Sequence, residues 1–165
     1  MLYIFVEIYI RGGNILKNEY EINSETFAVL AIDNNLSKVI ENNDEFLVNK
    51  AAKKIIDNSC KFFGSSYDGR FEGTKNLIGV SYKSPIIIEE SKNIIFFPTS
   101  SPRVSDCSWI SLNNIVNYKN NSGKTNLVFN NGYNLYLDIS YSIIENQILR
   151  ATRLESVLRK RKIGN

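Results

Sequence analysis

Residues 126–137 read NLVFNNGYNLYL, and this stretch leaves the chain few conformations to choose from. Asn131-Gly132 stands between two runs in which apolar and polar residues alternate. Alternation with a period of two marks a strand with one buried face. Asn-Gly readily reverses a chain between two such strands, because both residues tolerate a positive φ. A tight antiparallel hairpin is therefore predicted here. Directly after it the period changes. In SIIENQILRATRLESVLRKRK, residues 142–162, the residues Ile144, Ile148, Ala151, Leu154 and Leu158 fall on one helical face. Ser142 and Glu145 have the spacing of a capping box. Asn146, Arg150, Arg153 and Lys160 line the opposite flank as a polar, mostly basic stripe. A basic helix over about 142–162 is predicted to follow the hairpin.

Upstream, TFAVLAI (26–32) and EFLVN (45–49) read as strands, with a third over 37–41. Ala52, Ile56, Cys60 and Phe63 then recur at helical spacing. Asn49 is placed to cap the start of that segment, and Gly64 to end it in the left-handed conformation. An internal helix is predicted over about 50–63. Strands are predicted over 76–82, 86–89 and 94–97, followed by the loop PTSSPRVSDCSW with its two prolines. The 165 residues show no repeats and no shift to linker-like composition, which reads as a single domain over 16–165. The predicted class is α+β: mainly antiparallel sheet, one internal helix and the basic C-terminal helix. Two readings of residues 1–15 stay open. MLYIFVEIYI suits an edge strand, whereas RGGNIL can be encoded by a ribosome-binding sequence just upstream of Leu16, which would make residues 1–15 an untranslated leader. The segment is too short to span a bilayer, carries Glu7 and lacks a basic leader, so it is not read as a signal peptide.

Composition removes several kinds of chemistry. The chain has no histidine, which excludes Ser-His-Asp and Cys-His catalysis, HExxH zinc sites and histidine acid/base work near neutral pH. Two cysteines, Cys60 and Cys107, cannot by themselves complete a structural zinc site, and they read as reduced, buried thiols. Glu89-Glu90 and Asp44-Glu45 are adjacent on predicted strands, so their side chains leave on opposite faces. No metal, cofactor or enzymatic activity is expected. The frequent Asn, Ile and Lys are written with A/T-rich codons and read as genome bias. Charge is uneven: residues 141–165 carry +4 and the remainder −1, so the net +3 resides in the tail.

The glycine-rich stretch GSSYDGR, residues 64–70, comes near a phosphate-binding loop. It lacks the Lys-Ser/Thr pair such a loop needs, since Arg70 is followed by Phe71. Its predicted order of helix, loop, strand also points the wrong end of a helix dipole at the glycines. Two readings remain. In one, Lys61, Ser65, Ser66, Tyr67 and Arg70 supply hydroxyls and charge to a nucleic-acid backbone. In the other, the glycines satisfy turns, the serines satisfy backbone groups, and Phe62 and Phe63 are core. Trp109 beside Ile110 reads as core. The nine tyrosines and nine phenylalanines are interleaved with apolar strand residues and do not suggest a platform for stacking single strands.

CKFFGSSYDGRFEGT (60–74), CSWIS (107–111) and ISYSIIENQILRATRL (139–154) together resemble the competence transcription factor ComK family of low-GC Gram-positive bacteria. The three blocks come in the right order with similar spacing, and the resemblance runs from about Glu19 to the last helix. It implies an activator of DNA-uptake genes that binds paired A/T-rich boxes in double-stranded DNA as a homo-oligomer. It further implies use of the minor groove, no catalysis, RNA polymerase as a candidate partner, and a cytoplasmic, nucleoid-associated location without a membrane. Short A/T tracts narrow the minor groove and deepen its negative potential, which arginines read without a base code. Arg70, Arg103, Arg150 and Arg153 are the arginines to consider for that role. With Lys61, Ser65, Ser66, Tyr67 and Lys160 they form the candidate DNA-binding set. Asp68 is the departure that most weakens phosphate approach at the loop. Longer members continue into a tail used by an adaptor and a regulatory protease, so that control is not carried over. The alternative is a regulatory or degenerate paralogue of that family, acting by protein–protein interaction without productive DNA binding.

Overall fold

The structure, a computed structural model, describes residues 8–11 and 14–164. The element order is β1 (Ile8–Arg11), β2 (Asn14–Lys17), β3 (Thr26–Asp33), β4 (Leu36–Glu41), β5 (Glu45–Val48), α1 (Ala52–Phe62), α2 (Tyr67–Ile78), β6 (Ile86–Glu89), β7 (Ile94–Pro98), β8 (Trp109–Ser111), β9 (Ile115–Asn121), β10 (Lys124–Phe129), β11 (Asn134–Ser140) and α3 (Tyr141–Ile163). Eight strands form one sheet in the order β1-β2-β5-β4-β3-β8-β7-β6, antiparallel except where β2 meets β5. The strands β11-β10-β9 form a second, antiparallel sheet. The α+β, antiparallel-rich class predicted from the sequence is the class observed. The reading of residues 1–15 falls partly on residues 1–7 and 12–13, outside the described residues.

Both faces of the large sheet are covered, and this explains why β6 and β7 are almost continuously apolar. Ile86, Ile88, Ile94 and Phe96 pack toward α1, which brings Ile55, Ile56 and Cys60. Ile87, Ile95 and Phe97 point the other way, onto Leu127 and Phe129 of β10 and onto Ile144, Ile148 and Leu154 of α3. Trp109 is fully buried on the α1 face, as the core reading of that residue requires. Both thiols are buried and unpaired. Burial pushes the Cys60 thiol up to about 12 and raises that of Cys107.

Several local expectations need correction. The predicted strand over 76–82 is instead the end of α2, followed by Gly79 at φ +72°. Two glycines hide this helix from periodicity, and its inward face, Tyr67, Phe71, Thr74 and Ile78, includes a threonine whose hydroxyl donates to Pro85 O at 2.7 Å. Gly69 sits close to two serines, so that a Cβ there would meet Ser65 Oγ at 2.9 Å and press on the capping Ser66 Oγ at 3.2 Å. The order at the glycine stretch is therefore helix, loop, helix. Asn49 does not cap α1: its N–H donates to Lys17 O at 2.8 Å, and Ala51 stands at the cap with no side-chain bond. The Ser142–Glu145 capping box is also absent, since α3 starts at Tyr141, whose N–H donates to Gly123 O at 3.0 Å.

The hairpin forms with a three-residue loop. Gly132 N–H donates to Phe129 O and Phe129 N–H to Tyr133 O, both at 2.9 Å, and within Asn131-Gly132 only Gly132 has a positive φ. A three-residue loop needs only its last residue in the left-handed region, and the Asn131 side chain braces the loop, donating to Asn42 O at 2.6 Å and accepting from Tyr133 N–H at 2.9 Å. Among the described residues no helix is long and apolar enough to cross a membrane.

Leu154 is fully enclosed between α3 and the sheet. Leu154→Ala is expected to lower unfolding stability by about 2–5 kcal/mol, measured by urea titration. Cys60 and Cys107 are expected to react with a thiol reagent only after unfolding, both thiols then titrating together.

Candidate nucleic-acid interface

Strand direction decides which loops meet. Following the antiparallel pairings from β5 through β4, β3, β8 and β7 to β6, the ends of β3, β5 and β7 and the start of β6 lie at one end of the sheet. Three segments converge there: the start of α1, the 79–85 connection into β6, and the 99–108 connection out of β7. The last is pinned at its base by Thr99 N–H to Ser108 O at 2.9 Å and Ser108 N–H to Thr99 Oγ1 at 3.0 Å. Cys107 anchors it in the core, so Arg103 stands exposed at its outer turn.

The surface between these segments is a chain of depressions with shared walls. One of about 220 Å³ lies between Ala51, Ala52 and Lys53 of α1 and the Pro102–Cys107 side, Arg103 included. Its neighbour, about 320 Å³, has Tyr67 and Phe71 in its lining, with Lys53, Arg103, Tyr82 and Lys83 around them. A third, about 310 Å³, begins at the same Tyr82 and Lys83 and runs to Asn146 and Arg150 of α3. Lys54 extends the face beside Lys53. Five cations thus share one continuous surface with two carboxylates, Asp57 and Asp68. Asp68 lies in the first turn of α2, where its charge suits the helix dipole. That position gives it a structural reason to be acidic.

Arg103 and Arg150 are therefore brought to one face, with Tyr82 and Lys83 between them, and Arg153 lies about one turn further along α3. Tyr67 is buried edge-on against Trp109, ring centroids 6.0 Å apart, and burial pushes its phenol up to about 12. Ser66 is the N-cap of α2, accepting from Gly69 N–H at 3.0 Å. Ser65 donates its N–H to Cys60 O in the turn out of α1. Lys61 pairs with Asp57 at 2.9 Å, about 12 Å along α1 from Lys53 at 1.5 Å per residue. Arg70 lines a different depression, with Phe63, Glu89, Glu90 and Lys162. Lys160 is exposed near the far end of α3.

Two features escape a reading of motifs. Lys53 and Lys54 occupy the first turn of α1, which has no acidic residue and no capping side chain, so both charges oppose the helix dipole. That conflict between local rule and sequence is the signal that marks them. Gln147 and the backbone of the 79–85 connection form the second. Gln147, 2% exposed, donates to Lys83 O at 2.9 Å and to Pro98 O at 2.8 Å, and Arg150 donates to Tyr82 O at 2.8 Å. A buried glutamine on an apolar helix face is legible only once its partners are known.

The arrangement is a basic, aromatic-lined face assembled from four segments, and among the described residues no cluster of His, Cys, Asp and Glu is fit to hold a metal. The family described as ComK protein matches residues 17–163. The protein called Competence transcription factor in Bacillus subtilis (strain 168) is 40% identical over 146 residues, covering 86% of this chain and 76% of its own. No solved structure matches. The chain belongs to the ComK family.

The helix junction carries a pH dependence. Burial alone would raise the Asp57 carboxyl, but the bond from Tyr67 N–H at 2.9 Å and the Lys61 pair outweigh it and hold it below its ordinary value. A lowered folded pKa gives stability that is present above the unfolded value and lost as pH falls through the folded one. Asp57→Asn is therefore expected to cost about 1 kcal/mol at neutral pH and to flatten the loss of stability below about pH 4, read as urea midpoints across pH.

Proposed function

We propose that this chain is a competence transcription factor that activates DNA-uptake genes by binding A/T-rich double-stranded DNA as a homo-oligomer, through the minor groove. Its family and the name borne by its relative in Bacillus subtilis support the general role. The single observation that carries the DNA reading is the continuous face joining Lys53, Lys54, Lys83, Arg103 and Arg150. Two of these cations, Lys53 and Lys54, oppose a helix dipole, a cost that a bound polyanion offsets, and duplex DNA presents one negative charge for about every 1.7 Å of its axis. The uncapped amides at the start of α1 add donors suited to phosphate oxygens. Arg103 and Arg150 are the central contacts in this reading, Arg153 and Lys160 extend it along α3, and Lys61 and Arg70 are peripheral to it. RNA polymerase is the protein partner that activation requires, and a cytoplasmic, nucleoid-associated location follows from the same role.

Fluorescence anisotropy with a labelled A/T-tract duplex and a G/C-rich competitor tests this reading across a salt series. Five phosphate contacts give a slope of log K against log salt of about −4 to −5 per protomer. Arg103→Ala is expected to weaken binding about tenfold and to flatten the slope by about one. The pair Lys53→Gln and Lys54→Gln should weaken binding further while leaving the urea midpoint unchanged or higher, because the lost charges opposed the helix dipole. Binding indifferent to both sequence and salt sinks the proposal, and favours a paralogue that acts through proteins alone.

A further inference from the structure

We propose that the 81–83 turn is the element that enters the groove of the duplex, with Tyr82 as its inserted side chain and Gln147 as the positioning residue that holds it there. This rests on the DNA reading above and specifies which part of the face reads the duplex.

Tyr82 is 62% exposed at the tip of the 79–85 connection, one of three strongly exposed aromatics among the described residues with Phe62 and Tyr136, and the one of the three that lines the basic face. An exposed aromatic alone says little. Here its backbone is held by side chains from two helices. Lys83 takes φ +49°, a left-handed conformation that a non-glycine residue adopts only when its surroundings impose it. Gln147 and Arg150 of α3 bind the two successive carbonyls of Tyr82 and Lys83, and Gln147 ties the turn to Pro98 O at the end of β7. Downstream, Thr74 of α2 binds Pro85 O. Three helix side chains thus fix a tip that itself packs against little, which is the economy of a presented contact rather than of core packing.

The surroundings match the cross-section of a duplex groove. Tyr82 and Lys83 are the shared wall between two depressions, so the turn is a ridge with a furrow on each side. One furrow carries Lys53 and Arg103 beside the single carboxylate Asp68, and the other carries Arg150 and Asn146. A minor groove is likewise a slot, about 6 Å wide, between two phosphate backbones. The ridge enters the slot and each furrow receives one backbone. An A/T minor groove presents only acceptors at its floor, and the Tyr82 hydroxyl is a donor at the end of a flat apolar ring suited to the sugar walls.

The test uses Tyr82→Trp in the full chain, with an A/T-tract duplex of about two helical turns. The native Trp109 is fully buried and serves as an internal standard. Emission from the introduced indole is expected to be quenched by acrylamide in the free protein and protected once the duplex is bound. Tyr82→Ala is expected to weaken binding about tenfold with the salt slope unchanged, because the lost contact is not ionic, in contrast to Arg103→Ala. Gln147→Met should cause a similar loss, and adding it to Tyr82→Ala should cost little more, which a purely structural role of Gln147 would not produce. Should Gln147→Met fail to fold, protection of the introduced indole decides. Duplex binding that leaves that indole open to acrylamide, or that survives Tyr82→Ala at full strength, overturns this inference alone. Absence of duplex binding by the unsubstituted protein overturns it together with the broader reading.

Discussion

The structure depends on covering both faces of one eight-stranded sheet. β6 and β7 are apolar at successive positions, so neither face can be left to water. α1, with Tyr67 and Phe71 of α2, closes one side, and α3 with the β10–β11 hairpin closes the other. Burying a side chain such as Leu154 is worth about 2 kcal/mol, and each layer brings several. The two covering layers are consequently fixed in orientation, and with them the starts and ends of the helices that face solvent.

That fixed frame is what makes a surface of scattered residues into one face. Lys53, Lys83, Arg103 and Arg150 come from four segments, yet the directions of β5, β6 and β7 deliver three of those segments to the same end of the sheet. α3 then reaches the same place because its apolar stripe must lie on the other side of β7. Gln147 is the point where covering layer and exposed turn become one structure, since its amide joins α3 to both β7 and the 79–85 connection.

Where the chain obeyed local rules, those rules were legible. The strands over 26–32, 37–41, 86–89 and 94–97, the internal helix, the long last helix and the hairpin all follow from period and turn chemistry. The failures have separate causes. α2 contains two glycines and a buried threonine, so its helical face carries little apolar signal. Asn49 and Ser142 have the right spacing to cap helices, but the backbone near each is already committed elsewhere, to Lys17 and to Gly123. Of the candidate DNA residues, Arg103 and Arg150 share a face, whereas Ser66 caps a helix and Lys61 answers Asp57.

By itself the amino-acid sequence determined the class of fold, the absence of histidine chemistry, the enclosure of Trp109 and both thiols, and the family motifs, because each depends on composition or on neighbours along the chain. Tertiary structure alone decided which charges meet. Asp68 illustrates the difference: along the chain it is an acid in a glycine loop that should repel phosphate, while in the fold it stabilises the first turn of α2 at the margin of a surface where five cations gather. Electrostatic potential depends on distance through space, and those distances are set by how strands pair and helices pack.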